Sequence, residues 1–416
     1  MLVELTMGRN SKTLGLVLAI LFITSLFILQ LALAEAQPKT ITVPDDYPTI
    51  QAAIGNATAG DTVYVRKGIY YAPYFNVIVI DKPLSLIGED ASSTIIDGID
   101  RGEYSMGHYV MTWNGITLDA PNSTISGFTI RNMNHAIING YSSASGDRIL
   151  GNNLSNNKVP IVWGGTDFLI EGNNITDNDE AMNIGGLNGL ISNNTIEGLA
   201  VYAQNITISG NCISNIGLSI GQSNSINVCG NNITDSLQGI AFSWGIYNVT
   251  IRSNNIMNNN IGIFLDNFVY VSPNNIGKGN QICLNNLINN TKNAFVKPDY
   301  PYNISMIDNA IGNGTDVVSC DNGTVGNYWS DYKGNGSYVI DENNVDHYPL
   351  TQQANIFSVT PTPTLTSTAP ASETILIIVA SIVIIVVLAL TALLYRRHRK
   401  TVSLNKSPFP SKGISV

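Results

Sequence analysis

Apolar and polar residues alternate through the middle of the chain in a pattern that repeats about every twenty residues. Between residues 122 and 297 a motif of the form Ile-x-Gly-Asn-x-Ile recurs, and its glycine position serves as an anchor for each repeat. Alternation with a period of two predicts short β-strands, and self-similarity at this spacing predicts a solenoid with one coil per repeat. The eight anchors are Gly127, Gly151, Gly172, Asn193, Gly210, Gly230, Ser253 and Leu284.

Two positions relative to each anchor are apolar in every repeat. Parallel strands of successive coils lie about 4.8 Å apart and place like residues above like, so both positions are expected to fill the bore of the solenoid. Two residues before the anchors stand Ile125, Ile149, Ile170, Ile191, Ile208, Val228, Ile251 and Ile282, and three residues after them stand Ile130, Leu154, Ile175, Ile196, Ile213, Ile233, Ile256 and Leu287.

The residue directly after the anchor is asparagine in all repeats but the first, where it is Phe128. Asparagine tolerates the left-handed backbone of a sharp corner, and its amide hydrogen-bonds to an identical neighbour stacked above it. The sequence therefore predicts an asparagine ladder formed by Asn152, Asn173, Asn194, Asn211, Asn231, Asn254 and Asn285.

A third strand per coil is indicated by apolar residues eight to ten positions past the anchors, from Ile137 to Ile263. Helical repeats are the competing architecture, but β-branched residues at alternate positions disfavour helix at nearly every coil. The predicted fold class is all-β: a right-handed, single-stranded parallel β-helix with a short capping helix near residues 48–54, because an open solenoid end exposes its bore.

The two ends of the chain predict a membrane protein. Residues 1–36 have the plan of a signal peptide, with an uncleaved signal anchor as the alternative, and residues 37–357 form the predicted ectodomain. A Pro/Thr-rich stalk at 358–373 leads to a predicted transmembrane helix at 374–395 and a basic tail at 396–416. Basic residues stay in the cytoplasm, so the predicted location is the cell membrane with the ectodomain outside.

The composition and net charge restrict which partners the protein can bind. The formal net charge of −9 argues against nucleic acid, which requires a basic face. Four cysteines without metal-ligand spacing predict buried thiols, or at most one bridge between Cys283 and Cys320. Thirteen Asn-x-Ser/Thr sequons precede the stalk and predict a glycoprotein. No cofactor and no metal site are expected, and the oligomeric state is left open.

Two stretches resemble a known family. The opening ITVPDDYPTIQAAIGNATAGDTVYVRKGIYY and the closing GNYWSDYKGNG with VIDENNVDHYPL resemble the NosD-like group of pectin-lyase-like β-helix proteins, which is common among archaeal surface proteins. The resemblance spans about residues 40 to 350, with a C-terminal cap at about 320–350. It implies a β-helix with a carbohydrate-related or surface-binding role.

The resemblance also implies two metal-related roles that the residues favour poorly. The family name comes from a periplasmic protein that helps to mature a copper enzyme, but the four histidines here are scattered, so copper delivery is the least favoured function. A calcium site is disfavoured because the loop after the Tyr-Trp-Ser-Asp motif is short, and a solvated capping turn is expected instead. The acidic residues concerned are Asp331, Asp341, Glu342 and Asp346.

One corner of the β-helix collects candidate catalytic residues. Enzymes that act on polysaccharides use paired carboxylates or a basic residue on an exposed face. The candidate residues of these kinds are His135, Lys158, Asp177, Asp179 and Glu180, which fall in three consecutive coils. Asp177, however, shares its position with asparagines in other coils. Predicted stacking faces for sugar rings are Trp163, Phe242 and Trp244.

Three functions follow from these features. The favoured one is a membrane-anchored surface protein that binds polysaccharide or envelope glycan, or has a structural or adhesive role in the envelope, without turnover. The second is a tethered polysaccharide hydrolase or lyase, and the third is copper or cofactor delivery.

Overall fold

The computed structural model describes residues 19–25, 38–71, 78–98, 105–106, 109–110, 114–139, 145–243, 245–266, 279–297, 319–341 and 344–356. The chain divides into two compact units, Met1–Pro361 and Thr362–Val416, and every described residue belongs to the first. The predicted stalk, transmembrane helix and tail lie outside the described residues, as does the predicted signal peptide apart from one helix at 19–25. Within the described ranges, no helix has both the length and the apolar character needed to cross a membrane.

Strands stack in three parallel lanes, which we name A, B and C in the order in which each coil visits them. Lane A is an eleven-stranded parallel sheet. Its strands are Thr40–Val43, Thr62–Val65, Ser85–Gly88, Thr124–Ser126, Arg148–Leu150, Leu169–Glu171, Leu187–Ser192, Gln204–Ser209, Asn224–Cys229, Thr250–Arg252 and Gln281–Cys283.

Lanes B and C form one nineteen-stranded sheet because two strands, Thr195–Val201 and Cys212–Ile220, run through both lanes. The other lane B strands are Gly68–Tyr71, Thr94–Asp97, Thr129–Arg131, Asn153–Ser155, Asn174–Thr176, Asn232–Ser236, Asn255–Met257, Asn286–Ile288 and Tyr328–Trp329. The other lane C strands are Ile78–Ile80, Asn114–Leu118, His135–Asn139, Val159–Trp163, Met182–Ile184, Gln238–Phe242, Ile261–Asp266 and Lys292–Lys297.

Three small elements complete the described fold. Two antiparallel hairpins pair Ser105–Met106 with Tyr109–Val110, and Tyr338–Val339 with Val345–Asp346. The helix Ile50–Asn56 begins where the Thr49 side chain accepts a hydrogen bond from the Ala52 N–H at 3.1 Å. Its buried residues include Ile50 and Ile54, which join the apolar core, so this helix caps the bore as predicted.

The bore contains both predicted apolar positions. Every one of the sixteen residues named for lanes A and B is buried in one continuous core. In register, Ile125 pairs with Ile149 in lane A and Ile130 pairs with Leu154 in lane B. Each such side chain contributes about 1.5–3 kcal/mol on burial, so the stacked coils stabilise one another. The predicted all-β parallel solenoid is confirmed, and helical repeats are excluded.

The asparagine ladder follows the corner between lanes A and B. All seven predicted asparagines are buried, and each donates from Nδ2 to the Oδ1 of the next at 2.9–3.2 Å. The last of them, Asn285, donates to Asn327 at 2.9 Å, so the ladder extends into the C-terminal cap. The left-handed backbone lies at the anchors, directly before the ladder residues, including Leu284 with φ 59°.

A second ladder, which the sequence analysis missed, follows the corner between lanes B and C. There Asn157 donates to Asn178 at 3.1 Å, and Asn259 donates to Asn290 at 3.0 Å. It is interrupted in the coils of the two strands that run through both lanes, where Ile216 and not asparagine follows the left-handed residue Asn215. The asparagines of this ladder all stand six residues past their anchors, but other residue types at that offset in several coils obscure the pattern.

The Gly-Asn-Tyr-Trp-Ser-Asp-Tyr motif forms the C-terminal cap around a buried carboxylate. Asp346 accepts hydrogen bonds from the Asn327 N–H at 2.7 Å, from Trp329 Nε1 at 2.8 Å and from the Tyr348 N–H at 2.9 Å. A Cβ at Gly326 would collide with this carboxylate, which explains the glycine. Trp329 also stacks on Tyr338 with ring centroids 4.2 Å apart.

This cap corrects the expectation of a solvated turn. Asp346 is fully buried, and burial raises its pKa against the opposing effect of its N–H donors. Asp331 accepts from Asn293 and Tyr338, and Asp341 accepts from Asn344, so these carboxylates are also engaged in the cap. Glu342 lies outside the described residues.

Candidate functional site

Four of the five predicted catalytic residues meet at the start of lane C, and we name His135, Lys158, Asp179 and Glu180 the polar corner. The main chain places them on neighbouring rungs, which are the levels of successive coils within one lane. The Asp179 N–H donates to the Asn157 carbonyl at 2.9 Å, and the Glu180 N–H donates to the Lys158 carbonyl at 2.8 Å. Lys158, Asp179 and Glu180 are exposed, and His135 is half-buried.

His135 is held as a neutral base. Its Nδ1 lies 2.8 Å from Asn114 Oδ1. Burial lowers the pKa of His135, the charge of Lys158 lowers it further, and the charge of Glu180 acts in the opposite direction. An imidazole in this state can accept a proton near neutral pH.

Asp177 lies apart from the polar corner. Its backbone is left-handed, with φ 56°, and its carbonyl accepts the Asn156 N–H at 2.8 Å. The equivalent residues of other coils, Asn132, Asn156, Asp235 and Asn258, share this conformation. The position therefore serves the turn in each of these coils, whichever polar residue occupies it.

The predicted stacking faces are wrong for two of the three aromatic residues. Trp163 and Phe242 are each only 3% exposed and belong to the core of the bore. Trp163 packs against Phe168, with ring centroids 5.8 Å apart. Side chains alternate along a strand, and the position chosen from the spacing is the inward one. Trp244 lies outside the described residues.

Two other aromatic rings, which the sequence analysis did not single out, face outward from lane C. Phe264 and Phe295 are paired in register and stack with ring centroids 5.9 Å apart at an angle of 22°. Lys292 Nζ lies 4.5 Å from the centroid of the Phe295 ring. The sequence indicates this orientation, because successive side chains of a strand point to opposite faces. Phe264 stands between the buried residues Ile263 and Leu265, so it points outward.

The stacked phenylalanines end an outward-facing column that we name the lane C strip. It begins in the coil of the polar corner and passes over small side chains before it reaches the rings. Since rungs are about 4.8 Å apart, four steps separate Asn183 from Phe264 by about 20 Å. In order the column is Ile138, Val162, Asn183, Ala200, Ser219, Ala241, Phe264 and Phe295.

The described residues do not fit a copper site. Among them, no group of three or more His, Cys, Asp or Glu side chains is arranged to hold a metal ion. Cys283 and Cys320 are buried, and burial raises the pKa of Cys320 to about 12, which disfavours the thiolate that copper requires. His347 Nδ1 is engaged with Asp321 at 3.0 Å.

Parallel strands stacked in three lanes around an apolar bore, with asparagine ladders at the corners, define this chain as a parallel β-helix of the pectin-lyase-like kind. A family model described as periplasmic copper-binding protein (NosD) matches residues 166–334. The match confirms the resemblance to NosD-like proteins from the third anchored coil into the C-terminal cap. A search of curated proteins finds no significant match to this chain.

Solved structures with a similar backbone have low sequence identity. The A-module of the mannuronan C-5 epimerase AlgE6 of Azotobacter vinelandii has 14% identity and a TM-score of 0.44, over 65% of this chain and 79% of that chain. The catalytic unit of the GH87 alpha-1,3-glucanase of Streptomyces thermodiastaticus has 13% identity and a TM-score of 0.40, over 63% of this chain and 62% of that chain.

Proposed function

We propose that this protein is a membrane-anchored β-helix of the cell surface that binds glycans along the lane C strip. The single observation that supports binding is the outward stack of Phe264 on Phe295 beneath Lys292. The anchor, the outward orientation of the ectodomain and the glycosylation rest on the sequence of the two ends and on the sequons.

The chemistry of the strip suits a sugar chain. An outward aromatic ring offers a flat apolar face to the C–H side of a sugar ring, and the adjacent ammonium group can donate hydrogen bonds to sugar hydroxyls or pair with an acidic group. The side chains of Ala200, Ser219 and Ala241 are small, so they leave room for an extended ligand at these three positions. Strands hold these groups rigidly, which lowers the entropic cost of binding.

The double substitution Phe264→Ala with Phe295→Ala is expected to weaken glycan binding by about tenfold or more, because two stacking contacts of about 0.5–1.5 kcal/mol each are lost. A glycan array on the purified protein identifies a ligand, and calorimetric titration then measures the Kd of both proteins.

The matched control is Tyr71→Ala, which removes an exposed aromatic ring, 59% accessible, from a lane B strand. Equal weakening by the control, or unchanged binding by the double variant, contradicts the lane C strip as the binding surface. A folded protein that binds no glycan on the array indicates a structural or adhesive role in the envelope instead.

A second candidate function, a tethered polysaccharide hydrolase or lyase, is favoured by the neutral state of His135 beside two exposed carboxylates. In this hypothesis Asp179 or Glu180 and His135 exchange protons with the substrate, and Lys158 stabilises developing negative charge.

If the polar corner is catalytic, the pair Asp179→Ala and Glu180→Ala is expected to lower product formation at least a hundredfold in a reducing-sugar assay. Asp177→Asn is the matched control, since asparagine occupies the same left-handed position in other coils and should leave the rate within about twofold. Loss of activity in the control alone, or no product with the unaltered protein, rejects this enzyme hypothesis.

A further inference from the structure

Three buried polar atoms at one level of the bore have no hydrogen-bond partner within the described part of the chain. They are Asn139 Nδ2, Asp147 Oδ2 and Trp163 Nε1. Their side chains belong to residues that are 8%, 1% and 3% exposed, respectively. Buried polar groups are nearly always paired, so three orphans near one level indicate a missing partner.

The register brings these atoms to the same corner, between lanes C and A. Asn139 ends its lane C strand and Trp163 ends the next, one rung above; the Gly164 N–H donates to Asn139 Oδ1 at 2.8 Å. Asp147 precedes its lane A strand, and Phe168 holds the same position one coil later. The rings of Trp163 and Phe168 are 5.8 Å apart across the corner, and the register places Asn139 and Asp147 at the same corner one coil below them.

The protein supplies two donors and one acceptor at this point. Asn139 Nδ2 and Trp163 Nε1 can only donate, whereas Asp147 Oδ2 accepts when ionised. Side chains at the same positions in the following coils are apolar, among them Ile184, Val201 and Ile206, and therefore offer no partner. A water molecule accepts two hydrogen bonds and donates others, and buried waters typically make about three bonds.

We propose that one water molecule is bound in the bore at this level, accepting hydrogen bonds from Asn139 Nδ2 and Trp163 Nε1 and donating one to Asp147 Oδ2. The site is a structural hydration site that links two neighbouring coils, and its ligand class is a single neutral water.

Asp61 shows what a satisfied carboxylate does at an equivalent position. Both of its oxygens accept hydrogen bonds, from the Lys39 N–H at 2.9 Å and from the Thr58 N–H at 2.7 Å, and these lower its pKa. Among the described residues, Asp147 accepts from the Ser123 N–H alone, and burial raises its pKa to about 7. The water takes the place at Asp147 that Thr58 has at Asp61.

The first test is a crystal structure of the full chain at about 1.5 Å resolution, where ordered waters are visible. The expected result is one solvent peak within hydrogen-bonding distance of all three atoms. A direct bond between Trp163 Nε1 and Asp147, or no peak among the three side chains, overturns the proposal.

A double-substitution cycle provides an independent test by thermal unfolding. Asn139→Leu and Asp147→Leu each leave the water with fewer partners, so the loss in Tm of the double variant is expected to be clearly smaller than the sum of the single losses. Additive losses overturn the link through water. Ser209→Ala combined with Asp147→Leu is the matched control, because Ser209 Oγ is another buried orphan several coils away and should give additive losses.

Discussion

Replacing Asn254 with alanine is expected to lower the free energy of unfolding by about 4 kcal/mol, measured by denaturant titration. The Asn254 Nδ2 donates to the carbonyl of Val228 and to Asn285 Oδ1, both at 2.9 Å, and its Oδ1 accepts the N–H of Asn231 at 3.0 Å. Alanine leaves these partners buried without a hydrogen bond, and no water reaches a residue that is 0% exposed.

The neighbouring residue provides the control for this prediction. The Oδ1 of Asn255 accepts from Asn286 Nδ2 at 2.9 Å, but that amide also donates to the Ala354 carbonyl at 3.0 Å and keeps this partner when Asn255 is replaced. Asn255 also donates to Asn232 Oδ1 at 2.9 Å, and this bond lies on the outer surface of lane B. Water can replace it, so Asn255→Ala is expected to cost less than about 1 kcal/mol. Similar losses for the two variants would show that the inner ladder does not depend on burial.

Asp346→Ala is expected to destabilise the protein by about 3 kcal/mol, because it leaves three N–H donors of the C-terminal cap without an acceptor. Near-ultraviolet circular dichroism should also lose intensity, since Trp329 and Tyr338 stack beside this carboxylate. Denaturant unfolding and the dichroism spectrum measure the two effects.

Asp341→Ala is the matched control within the same cap. Asp341 is partly exposed and accepts from the Asn344 N–H at 2.8 Å in a local turn, so its loss should cost less than about 1 kcal/mol. An unchanged dichroism spectrum in Asp346→Ala would mean that the buried carboxylate does not hold the aromatic stack.

The bore and its first ladder were predictable from sequence because each rests on a local rule that repeats. An apolar residue such as Ile149 and a ladder residue such as Asn152 keep a fixed offset from their anchor in every coil, and stacking turns that offset into contact. The second ladder was not found, because Met133, Ile216 and Ser236 interrupt the asparagines at its offset of six residues past the anchor.

The candidate site was predicted in part, and its errors have one physical cause. The sequence placed His135, Lys158 and Glu180 together because the strand register aligns them in successive coils at the start of lane C. Trp163 and Phe242 were misassigned because an offset of one residue reverses the face of a strand. The same parity identifies Phe264 and Phe295 as the outward rings once the strand bounds are known.

The first ladder also restricts changes in the length of the solenoid to whole coils. Each ladder residue needs a partner from the next coil, and Asn327 of the cap supplies the last one. A coil can therefore be gained or lost cleanly only between two ladder positions, for example from Asn211 to Gly230, which keeps Asn194 in series with Asn231. Every such insertion or deletion changes the length of the solenoid by about 4.8 Å, which is the spacing between successive coils.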